Sequence, residues 1–531
     1  MTLYGLFDIR EKDLAGRIAR LHTPHGIIET PALLPVIDIV RQEVPIEDIK
    51  RLGFNAVITN AYLLWKRMRT TTIEKGVHKV LGFDGTIMTD SGAYQILQYG
   101  EVDIDPIEVI KFQQEIGSDI AVILDIPTGN ARNRKQAEYS VSETLRRAKE
   151  ALRYIDPENR IWVLPIQGGP FRDLVAKSST EARALEGYKL YALGSPTVLL
   201  ERYEYRTLLE MMYTARTRLP ITRPLHLFGA GHPMIIPFAV ALGVDLFDSA
   251  SYILYARDER YMTPHRTYRL RDLEYFPCSC PVCTKYTPKE LLEMPKQERI
   301  RLLALHNLHV LRQTINEVKV AIKEGRLWEL LEERSRAHPS LSIAFTEFKK
   351  YSSFIEKLSP RVKASGVKGV FLYGPESLYN PKILHHQQHI LGKYKPRKRG
   401  TLLLIPVDLG EKPFTRSKIY TKLRKREPSN THIAGYMLYI GIIPEELSET
   451  YPLSQFEANT YAYQEVINKT TKIIINYIEN NKENYTAIKI LTCREWEWSK
   501  ELAAKIMEKL GDKHAIDIRE ESCEKTFQTH I

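Results

Sequence analysis

The sequence predicts an α/β protein built on a (β/α)8 (TIM) barrel, with an inserted or appended cysteine-containing subdomain and C-terminal α+β extension domains. Three observations lead to this fold class. Over roughly the first 250 residues, short apolar runs alternate with longer amphipathic segments; three clustered cysteines follow; and the charge balance changes near residue 350. Strands that alternate with helices are typical of a parallel sheet covered by helices.

The barrel prediction depends on the number of strand-like runs, which is eight. Segments such as DPIEVIKFQQEIG and QAEYSVSETLRRAKEALRYI lie between the runs and have the apolar spacing of amphipathic helices. Eight repeats favour closure into a barrel, and an open doubly wound sheet is the alternative. In chain order the runs are IIETPALLPV, FNAVITNAY, TIMTDSG, DIAVILDIPTG, RIWVLPIQGG, YKLYALGSP, PLHLFGAG and VDLFDSAS.

The ends of these runs carry candidate functional residues, because barrel enzymes place their chemistry at the C-terminal ends of the strands. Three carboxylates, an amide and several glycines are expected to meet on one face, where the glycines let a flat ligand approach the backbone. A single aspartate at such a position is more often a helix cap. The fold alone does not identify a reaction. The residues are Thr59, Asn60, Asp90, Ser91, Asp125, Gln167, Gly194, Gly229, Gly231, Asp248 and Ser249.

The stretch FPCSCPVCTKY places Cys278, Cys280 and Cys283 within one turn. Structural zinc takes four Cys or His ligands in a tetrahedron, so these thiolates supply three of them. His306 and His309, on a predicted long helix, are the candidates for the fourth. A redox or iron–sulfur role is the alternative. A closed four-ligand site leaves no open position for substrate, so this metal is expected to stabilise the fold.

Bulk composition is that of a globular chain of two to four domains, with 531 residues, 43% hydrophobic and 27% charged. No apolar run approaches the roughly 18 residues of a membrane helix, and the N-terminus lacks the order of a signal peptide. The two remaining cysteines, Cys493 and Cys523, are scattered and indicate no secreted disulfide framework. We therefore expect a cytoplasmic protein.

The formal net charge of +11 is concentrated in one segment. Residues 351–430 contain 17 Lys and Arg against 5 Asp and Glu, and the rest of the chain is close to neutral. The segment includes KPRKR at 395–399 and KLRKR at 422–426. A solvated basic face is one interpretation. A domain-sized basic block in an otherwise neutral protein favours a polyanionic partner.

Five motifs stand in order along residues 1 to about 345: TIMTDSGAYQ, IQGG, VDLFDS, CSCPVC and HNL. In this order they resemble the tRNA-guanine transglycosylases, and the long C-terminal extension resembles the archaeal branch. The resemblance implies a tRNA-ribosyltransferase, a pentosyltransferase that replaces guanine at position 15 in the D-arm of tRNA with 7-cyano-7-deazaguanine (preQ0). This exchange is the first step of archaeosine formation on tRNA and requires neither strand breakage nor ATP.

The resemblance also implies a covalent ester between an aspartate and ribose C1′, as in a retaining glycosidase with a base in place of water. Asp248 in VDLFDS matches the nucleophile. Asp90 in TDSGAYQ matches the second catalytic aspartate, which handles protons on the bases. The sequence alone does not separate the two roles. Ser91 is expected close to both.

Base binding is carried over in the same way. Tyr94 matches the aromatic residue that stacks on the base, with an ordinary core aromatic as the alternative. Asp125 suits the N1–H and N2 edge of guanine, with a helix cap as the alternative. Gln167 meets the remaining polar edge, and backbone amides around Ala192 and Gly194 approach the same ring.

His306 in HNL matches the fourth zinc ligand, so the resemblance implies one structural zinc ion per chain. It also implies a homodimer paired through the zinc region, and an RNA-binding domain of the PUA type that is either absent or supplied by a separate protein. tRNA becomes the expected polyanion. The residues expected to contact it are Lys395, Arg397, Lys398, Arg399, Arg424, Lys425 and Arg426.

We expect three domains: residues 1–345 form the barrel with the zinc subdomain at about 270–320, residues 346–430 form a basic, tRNA-contacting extension, and residues 431–531 form a small α/β domain. A catalytically silent tRNA-binding partner of an active transglycosylase is the alternative function. Asp90 and Asp248 favour an active enzyme, because a silent subunit has no use for the pair.

Overall fold

The computed structural model describes residues 3–93, 104–129, 133–361 and 366–523. They form two compact units, Met1–Phe348 and Lys349–Ile531, which are described separately. In the described ranges, every helix is too short or too polar to span a bilayer.

The first unit contains a parallel eight-stranded barrel, which confirms the predicted fold class. Each of the eight apolar runs provides one strand, and a parallel bridge between Val36 and Ile58 closes the sheet between its first two strands. The spatial order is β4-β11-β10-β9-β8-β7-β6-β5. The strands are β4 (Ala32–Pro35), β5 (Ala56–Asn60), β6 (Thr86–Asp90), β7 (Ile120–Val122), β8 (Ile161–Ile166), β9 (Leu190–Leu193), β10 (Leu225–Leu227) and β11 (Leu246–Ser249).

Helices follow the barrel strands, as the amphipathic segments predict. The two quoted segments form α4 and α5, which begin at side-chain caps from Asp105 and Asn133. The described helices of this region are α1 (Ile46–Arg51), α2 (Ala61–Lys75), α3 (Val77–Leu81), α4 (Pro106–Glu115), α5 (Arg134–Ala151), α6 (Arg172–Arg183), α7 (Thr197–Glu201), α8 (Tyr205–Arg216), α9 (Ile236–Ala241) and α10 (Ser251–Arg257).

An antiparallel sheet covers the N-terminal end of the barrel. It consists of β1 (Phe7–Asp13), β2 (Gly16–Thr23) and β3 (Gly26–Glu29). Ala19, Leu21 and Ile28 belong to the apolar cluster that fills the barrel, and Arg17 forms a buried ion pair with Asp245 immediately before β11. Because apolar packing covers the N-terminal end of the barrel, a ligand can reach the barrel only at the C-terminal ends of the strands.

The metal-ligand motif lies in the second part of the first unit. This part contains β12 (Arg260–Met262), β13 (Thr267–Arg269), α11 (Pro281–Lys285), α12 (Pro288–Glu293), α13 (Lys296–Glu324), α14 (Leu327–Ser335) and α15 (Pro339–Thr346). The 29-residue α13 ends at Gly325, whose φ of 71° is a left-handed cap that favours glycine. α13 packs against α10 and β12, so the subdomain is anchored to the barrel.

The second unit is an α/β domain around one five-stranded sheet with the order β17-β16-β15-β19-β20. The strands of the unit are β14 (Val370–Leu372), β15 (Gly400–Pro406), β16 (His432–Met437), β17 (Gly441–Pro444), β18 (Phe456–Ala458), β19 (Tyr485–Cys493) and β20 (Ile516–Glu521). β14 and β18 pair with each other in a separate two-stranded sheet. Its helices are α16 (Ser352–Leu358), α17 (Pro381–Gly392), α18 (Lys418–Arg426), α19 (Gln464–Asn480) and α20 (Glu497–Leu510).

The boundary expected at residues 430 and 431 falls inside this sheet. β15 pairs in parallel with both β16 and β19, so the segments 346–430 and 431–531 share one core instead of forming two domains. Cys493 and Cys523, which looked scattered in the sequence, lie with their Cα atoms 5.6 Å apart and form a disulfide.

Candidate active site and metal centre

Side-chain alternation along the barrel strands explains which residues reach the site. Met88 and Leu246 belong to the apolar cluster inside the barrel. Because successive side chains of a strand point to opposite faces, the residues two positions further on, Asp90 and Asp248, also face the interior. Both stand at the C-terminal ends of their strands, where the apolar filling stops.

Asp248 has one carboxylate oxygen held by two donors. Its Oδ1 accepts hydrogen bonds from the backbone N–H of Gly229 and from His226 Nε2, each at 2.8 Å. His226 is fully buried, and among the described residues its Nδ1 has no hydrogen-bond partner. Its Nε2 faces a carboxylate oxygen, so this nitrogen carries the proton that is donated. The two donors fix the orientation of the carboxylate and leave Oδ2 for another partner.

The carboxyl group of Asp90 lies close enough to those of Asp125 and Asp248 for their negative charges to change its pKa. Burial, together with the neighbouring charges of Asp125 and Asp248, raises the pKa of Asp90 to about 7, although hydrogen bonds from the backbone at Gly92 and Ser91 act in the opposite direction. A carboxyl with this pKa is close to half protonated at neutral pH. It can therefore take up or release a proton without a large free-energy cost.

Asp125 and Gln167 form a hydrogen-bonded pair. Gln167 Nε2 donates to Asp125 Oδ2 at 2.5 Å, while Gln167 Oε1 accepts from the N–H and the hydroxyl of Thr128, each at 2.9 Å. Burial raises the pKa of Asp125 to about 6. The cap of α5 comes from Asn133, so the helix-cap alternative for Asp125 does not describe the structure.

Gly194 is required for this pair to fit. A Cβ atom at Gly194 would lie 2.1 Å from Gln167 Nε2, so any larger residue would push the amide out of place. The N–H of Gly194 donates to the carbonyl of Ile166 at 3.0 Å, and Ala192 packs in the barrel core. The backbone N–H at 194 thus donates within the sheet, and the approach of backbone amides around Ala192 and Gly194 to the base stays a prediction.

Of the other residues expected in the site, one is buried at the end of a barrel strand, one caps a helix and one lies outside the described residues. Ser91 is fully buried, and its hydroxyl has no hydrogen-bond partner within the part of the chain that the structure describes. Asn60 caps α2 through the N–H of Leu63. Tyr94 lies outside the described residues, so its stacking role stays a prediction.

His226 is the residue in contact with Asp248 that the sequence did not reveal. It stands in the middle of the apolar run PLHLFGAG, where a lone histidine reads as a core residue. Its position follows from register, since His226 pairs with Leu246 across parallel strands and so shares the interior face with Asp248. A polar residue at an interior strand position was the available signal.

The three cysteine sulfurs and one histidine nitrogen form a compact cluster. The ligand atoms of Cys278, Cys280, Cys283 and His306 all lie within 4.8 Å of one another, and His309 is not part of the group. His306 Nδ1 lies 3.5 Å from Cys280 Sγ and 3.3 Å from Cys283 Sγ. Three sulfurs and one imidazole nitrogen make a donor set that could hold a metal ion.

The surroundings of His306 fix the ring for ligation. Its Nε2 donates to the carbonyl of Met262 at 2.8 Å, which leaves the lone pair on Nδ1 pointing at the sulfurs. The Tyr261 ring stacks on His306 with centroids 3.8 Å apart, and the Tyr261 hydroxyl lies 3.3 Å from Cys283 Sγ. Contacts of this kind, which hold a metal-ligating side chain in position, are typical of metal sites in proteins.

The basic residues expected to contact tRNA fall into two groups. Lys398 forms an ion pair with Glu445 at 2.6 Å, and Arg424 lies 3.8 Å from the same carboxylate and donates to the carbonyl of Thr431. These two cations are occupied within the domain. The others are exposed and form no ion pair in the described parts of the chain: Lys395, Arg397, Arg399, Lys425 and Arg426, to which the neighbouring Lys422 can be added.

The fold is a (β/α)8 barrel with three acids at the C-terminal ends of its strands, and the attached subdomain carries a Cys3His cluster. Together these features define the class: a barrel enzyme with a subdomain that could bind a metal ion. Comparison with family models identifies it further. The model described as queuine tRNA-ribosyltransferase (TGT) matches residues 12–340. The chain belongs to this family, which confirms the resemblance carried by the motifs.

Curated relatives match most of the chain. A tRNA-guanine(15) transglycosylase of Aeropyrum pernix is 50% identical over 85% of this chain and 87% of its own length. Proteins of the same name from Sulfolobus acidocaldarius and Saccharolobus solfataricus are 43% and 44% identical, over 93% and 92% of this chain and 96% and 97% of their own lengths. The expected enzyme class, a pentosyltransferase acting as a tRNA-ribosyltransferase, is thereby confirmed. A second model, described as a domain of unknown function (DUF5591), matches residues 383–527.

Proposed function

We propose that this chain exchanges guanine at position 15 of tRNA for 7-cyano-7-deazaguanine through a covalent aspartate–ribose intermediate. The names of the relatives, tRNA-guanine(15) transglycosylases, support the guanine-15 specificity. The observation that carries the chemistry is the different setting of two aspartates. Asp248 has one oxygen anchored by two N–H donors, whereas burial and two neighbouring charges favour the protonated form of Asp90.

In the first half-reaction, Asp248 Oδ2 attacks C1′ of the ribose while the bond from C1′ to guanine N9 breaks. Guanine leaves with the bonding electron pair, and a proton from Asp90 neutralises it. In the second half-reaction, N9 of the incoming base attacks C1′ from the vacated side, the ester bond to Asp248 breaks, and Asp90 recovers the N9 proton. Two displacements retain the configuration at C1′.

Asp125 and Gln167 fit the polar edge of the base. With Oδ2 bound to Gln167, Asp125 retains Oδ1 to accept from guanine N1–H or the N2 amine. The second N–H of Gln167 Nε2 is directed by the two hydrogen bonds from Thr128 that fix its Oε1. Both groups are nearly fully buried, so a base with mismatched donors would leave them unpaired at a large cost.

The Cys3His cluster suits zinc held for structure. Four protein ligands would fill a tetrahedral shell, and zinc bound there supplies stability to the subdomain. The chain's own residues support this assignment: Met262 directs the His306 ring and Tyr261 packs against it. One zinc ion per chain is expected.

A labelled-guanine exchange assay tests the proposal. Wild-type protein is expected to incorporate guanine into tRNA and, with 7-cyano-7-deazaguanine, to produce the modified nucleoside at position 15, detected by mass analysis. Asp248→Asn is expected to abolish the covalent protein–RNA band on a denaturing gel. An Asp248→Asn protein that still traps RNA would overturn the nucleophile assignment, and a wild type without exchange would favour the silent tRNA-binding subunit.

The tRNA surface is proposed to include the exposed basic residues of the second unit. Phosphate contacts release counterions, and this gain helps to offset the cost of extruding a stacked, paired guanine. Arg397→Glu is expected to weaken tRNA binding and to reduce its salt dependence. Lys398→Gln is the informative comparison, because Lys398 is paired with Glu445 and should affect stability more than tRNA affinity.

A further inference from the structure

A basic cavity in the second unit is not used by the chemistry described above. Its volume is about 290 Å³, and α17 forms one wall. Six of its twelve lining residues are basic, and none is acidic. The basic residues are Arg361, Lys382, His385, His386, His389 and Lys393.

The helical repeat explains why these side chains converge. Lys382, His386, His389 and Lys393 are spaced by three or four residues, so they form one stripe along α17. Arg361 adds a guanidinium from the chain that follows α16. A basic stripe normally faces solvent, but here Leu447, Pro452 and Leu453 stand across from it and make a cavity.

The charge state of the cavity follows from the contacts of each group. Arg361 and Lys393 are exposed at the cavity and form no ion pair in the described residues, and Lys382 lines it while largely buried. His386 donates from Nε2 to the carbonyl of Ile442 at 2.7 Å, and burial, with the charge of His389, lowers its pKa to about 4. His386 is therefore neutral at pH 7, and the exposed Arg361 and Lys393 provide the positive charge.

One carboxylate beside α17, that of Glu356, is paired with a histidine and does not line the cavity. His385 is held outside the stripe by Glu356, whose Oε1 lies 2.8 Å from its Nε2. Glu356 is largely buried and does not line the cavity. An anion with several oxygen acceptors is the ligand chemistry that matches two exposed cations and an imidazole around one space.

The volume of the cavity and the residues opposite the basic stripe indicate which class of ligand it can hold. A cavity near 300 Å³ is at the small end of the range that holds small organic ligands, so it accommodates about one nucleotide and not a length of strand. Tyr451, Pro452 and Leu453 offer a ring and apolar surface against which a sugar or base can pack. A phosphate would lie at the basic stripe and its nucleoside against this wall.

We propose that this cavity binds the phosphate of a single nucleotide unit. The phosphate belongs either to a nucleotide of the tRNA chain or to a free nucleotide, and both present the same chemistry to Arg361 and Lys393. The tRNA source rests on the proposed function, whereas the free-nucleotide source does not.

The test compares two double variants of the full chain that remove equal charge. Arg361→Ala with Lys393→Ala removes two exposed cations from the cavity. Lys472→Ala with Lys482→Ala is the matched control, because both lysines are exposed, form no ion pair in the described ranges and lie outside the cavity. Binding of adenosine 5′-monophosphate and of inorganic phosphate is measured by calorimetry, and binding of a tRNA transcript by filter retention over a range of salt concentrations.

If the source is a free nucleotide, wild-type protein binds adenosine 5′-monophosphate, and the cavity variant weakens this binding at least tenfold. If the source is tRNA, the cavity variant weakens tRNA binding about tenfold and lowers the slope of log K against log salt by about one. The control changes either quantity less than twofold. The proposal is overturned if the cavity variant and the control behave alike in both assays.

Failure of this proposal is distinguishable from failure of the proposed function. Guanine exchange into tRNA at saturating concentrations of tRNA reports the barrel chemistry, and the cavity variant is expected to retain it within about twofold. A protein that binds nucleotide in the cavity but exchanges no guanine would refute the proposed function alone.

Discussion

Replacing His226 tests whether Asp248 must be held at Oδ1 to act. His226→Met removes the N–H donor and keeps an apolar side chain of similar size in a fully buried position. The lost interaction is a 2.8 Å hydrogen bond to a carboxylate, a class worth about 1.5–3 kcal/mol. Gly229 still donates to the same oxygen, so the nucleophile loses one of two anchors. At about 1.4 kcal/mol per factor of ten, the expected loss is roughly 10- to 150-fold in kcat.

The effect should appear in kcat and leave KM for tRNA within about twofold, because His226 is fully buried and a positioning residue of this kind does not contact RNA. Single-turnover formation of the covalent band should slow by the same factor as exchange. His226→Gln is the matched variant, since its amide keeps a donor, and it should lose less than tenfold. Thermal unfolding of both variants controls for misfolding. The reasoning fails if His226→Met exchanges guanine at the wild-type rate, or if the two variants lose equal activity at equal stability.

Three further predictions concern stability and binding. The folded-state pKa of Asp90 is about 7 against an ordinary value near 4, so ionisation of Asp90 destabilises the fold as the pH rises between these values. Asp90→Asn should therefore be more stable than wild type at pH 8, by up to about 4 kcal/mol in the free energy of unfolding. In thermal or urea unfolding this difference should vanish near pH 4. Cys283→Ser should lose bound zinc by elemental mass analysis and lower Tm by roughly 5–15 °C, whereas His309→Ala, outside the cluster, should keep both. Arg397→Glu combined with Lys425→Glu should weaken tRNA binding at least tenfold at low salt in a filter-binding titration, and an unchanged salt slope would contradict the assigned surface.

The barrel could be predicted because its signal is local and repeated. Each strand is an apolar run with a polar end, and eight of them in series leave few alternative topologies. The domain boundary could not be predicted in the same way. Composition separates the basic stretch from the last hundred residues, but β15 lies between β16 and β19, and strand pairing across 80 residues leaves no mark on local composition.

The site shows the same division between local and non-local information. Asp90, Asp125, Gln167 and Asp248 all follow strand-like runs, so their convergence follows from the barrel alone. His226 could not be assigned, because its partner is 22 residues away and their contact depends on the register between β10 and β11. The hydrogen bond from the N–H of Gly194 to the carbonyl of Ile166 could not be predicted for a similar reason, since Ile166 belongs to the neighbouring strand β8.

Net charge is a poor count of the cations that can meet RNA. Lys398 and Arg424 belong to the two basic pentapeptides, yet both are directed at Glu445, and Lys412 is paired with Glu457. Arg361 and Lys393 line a separate cavity, so they do not belong to the same exposed surface as the two pentapeptides. The exposed remainder of the two pentapeptides sets the scale of salt dependence, because each phosphate contact contributes a slope of only about 0.7 to 0.9. A +12 segment should therefore bind tRNA with a salt slope well below twelve, and single charge reversals within it should be unequal.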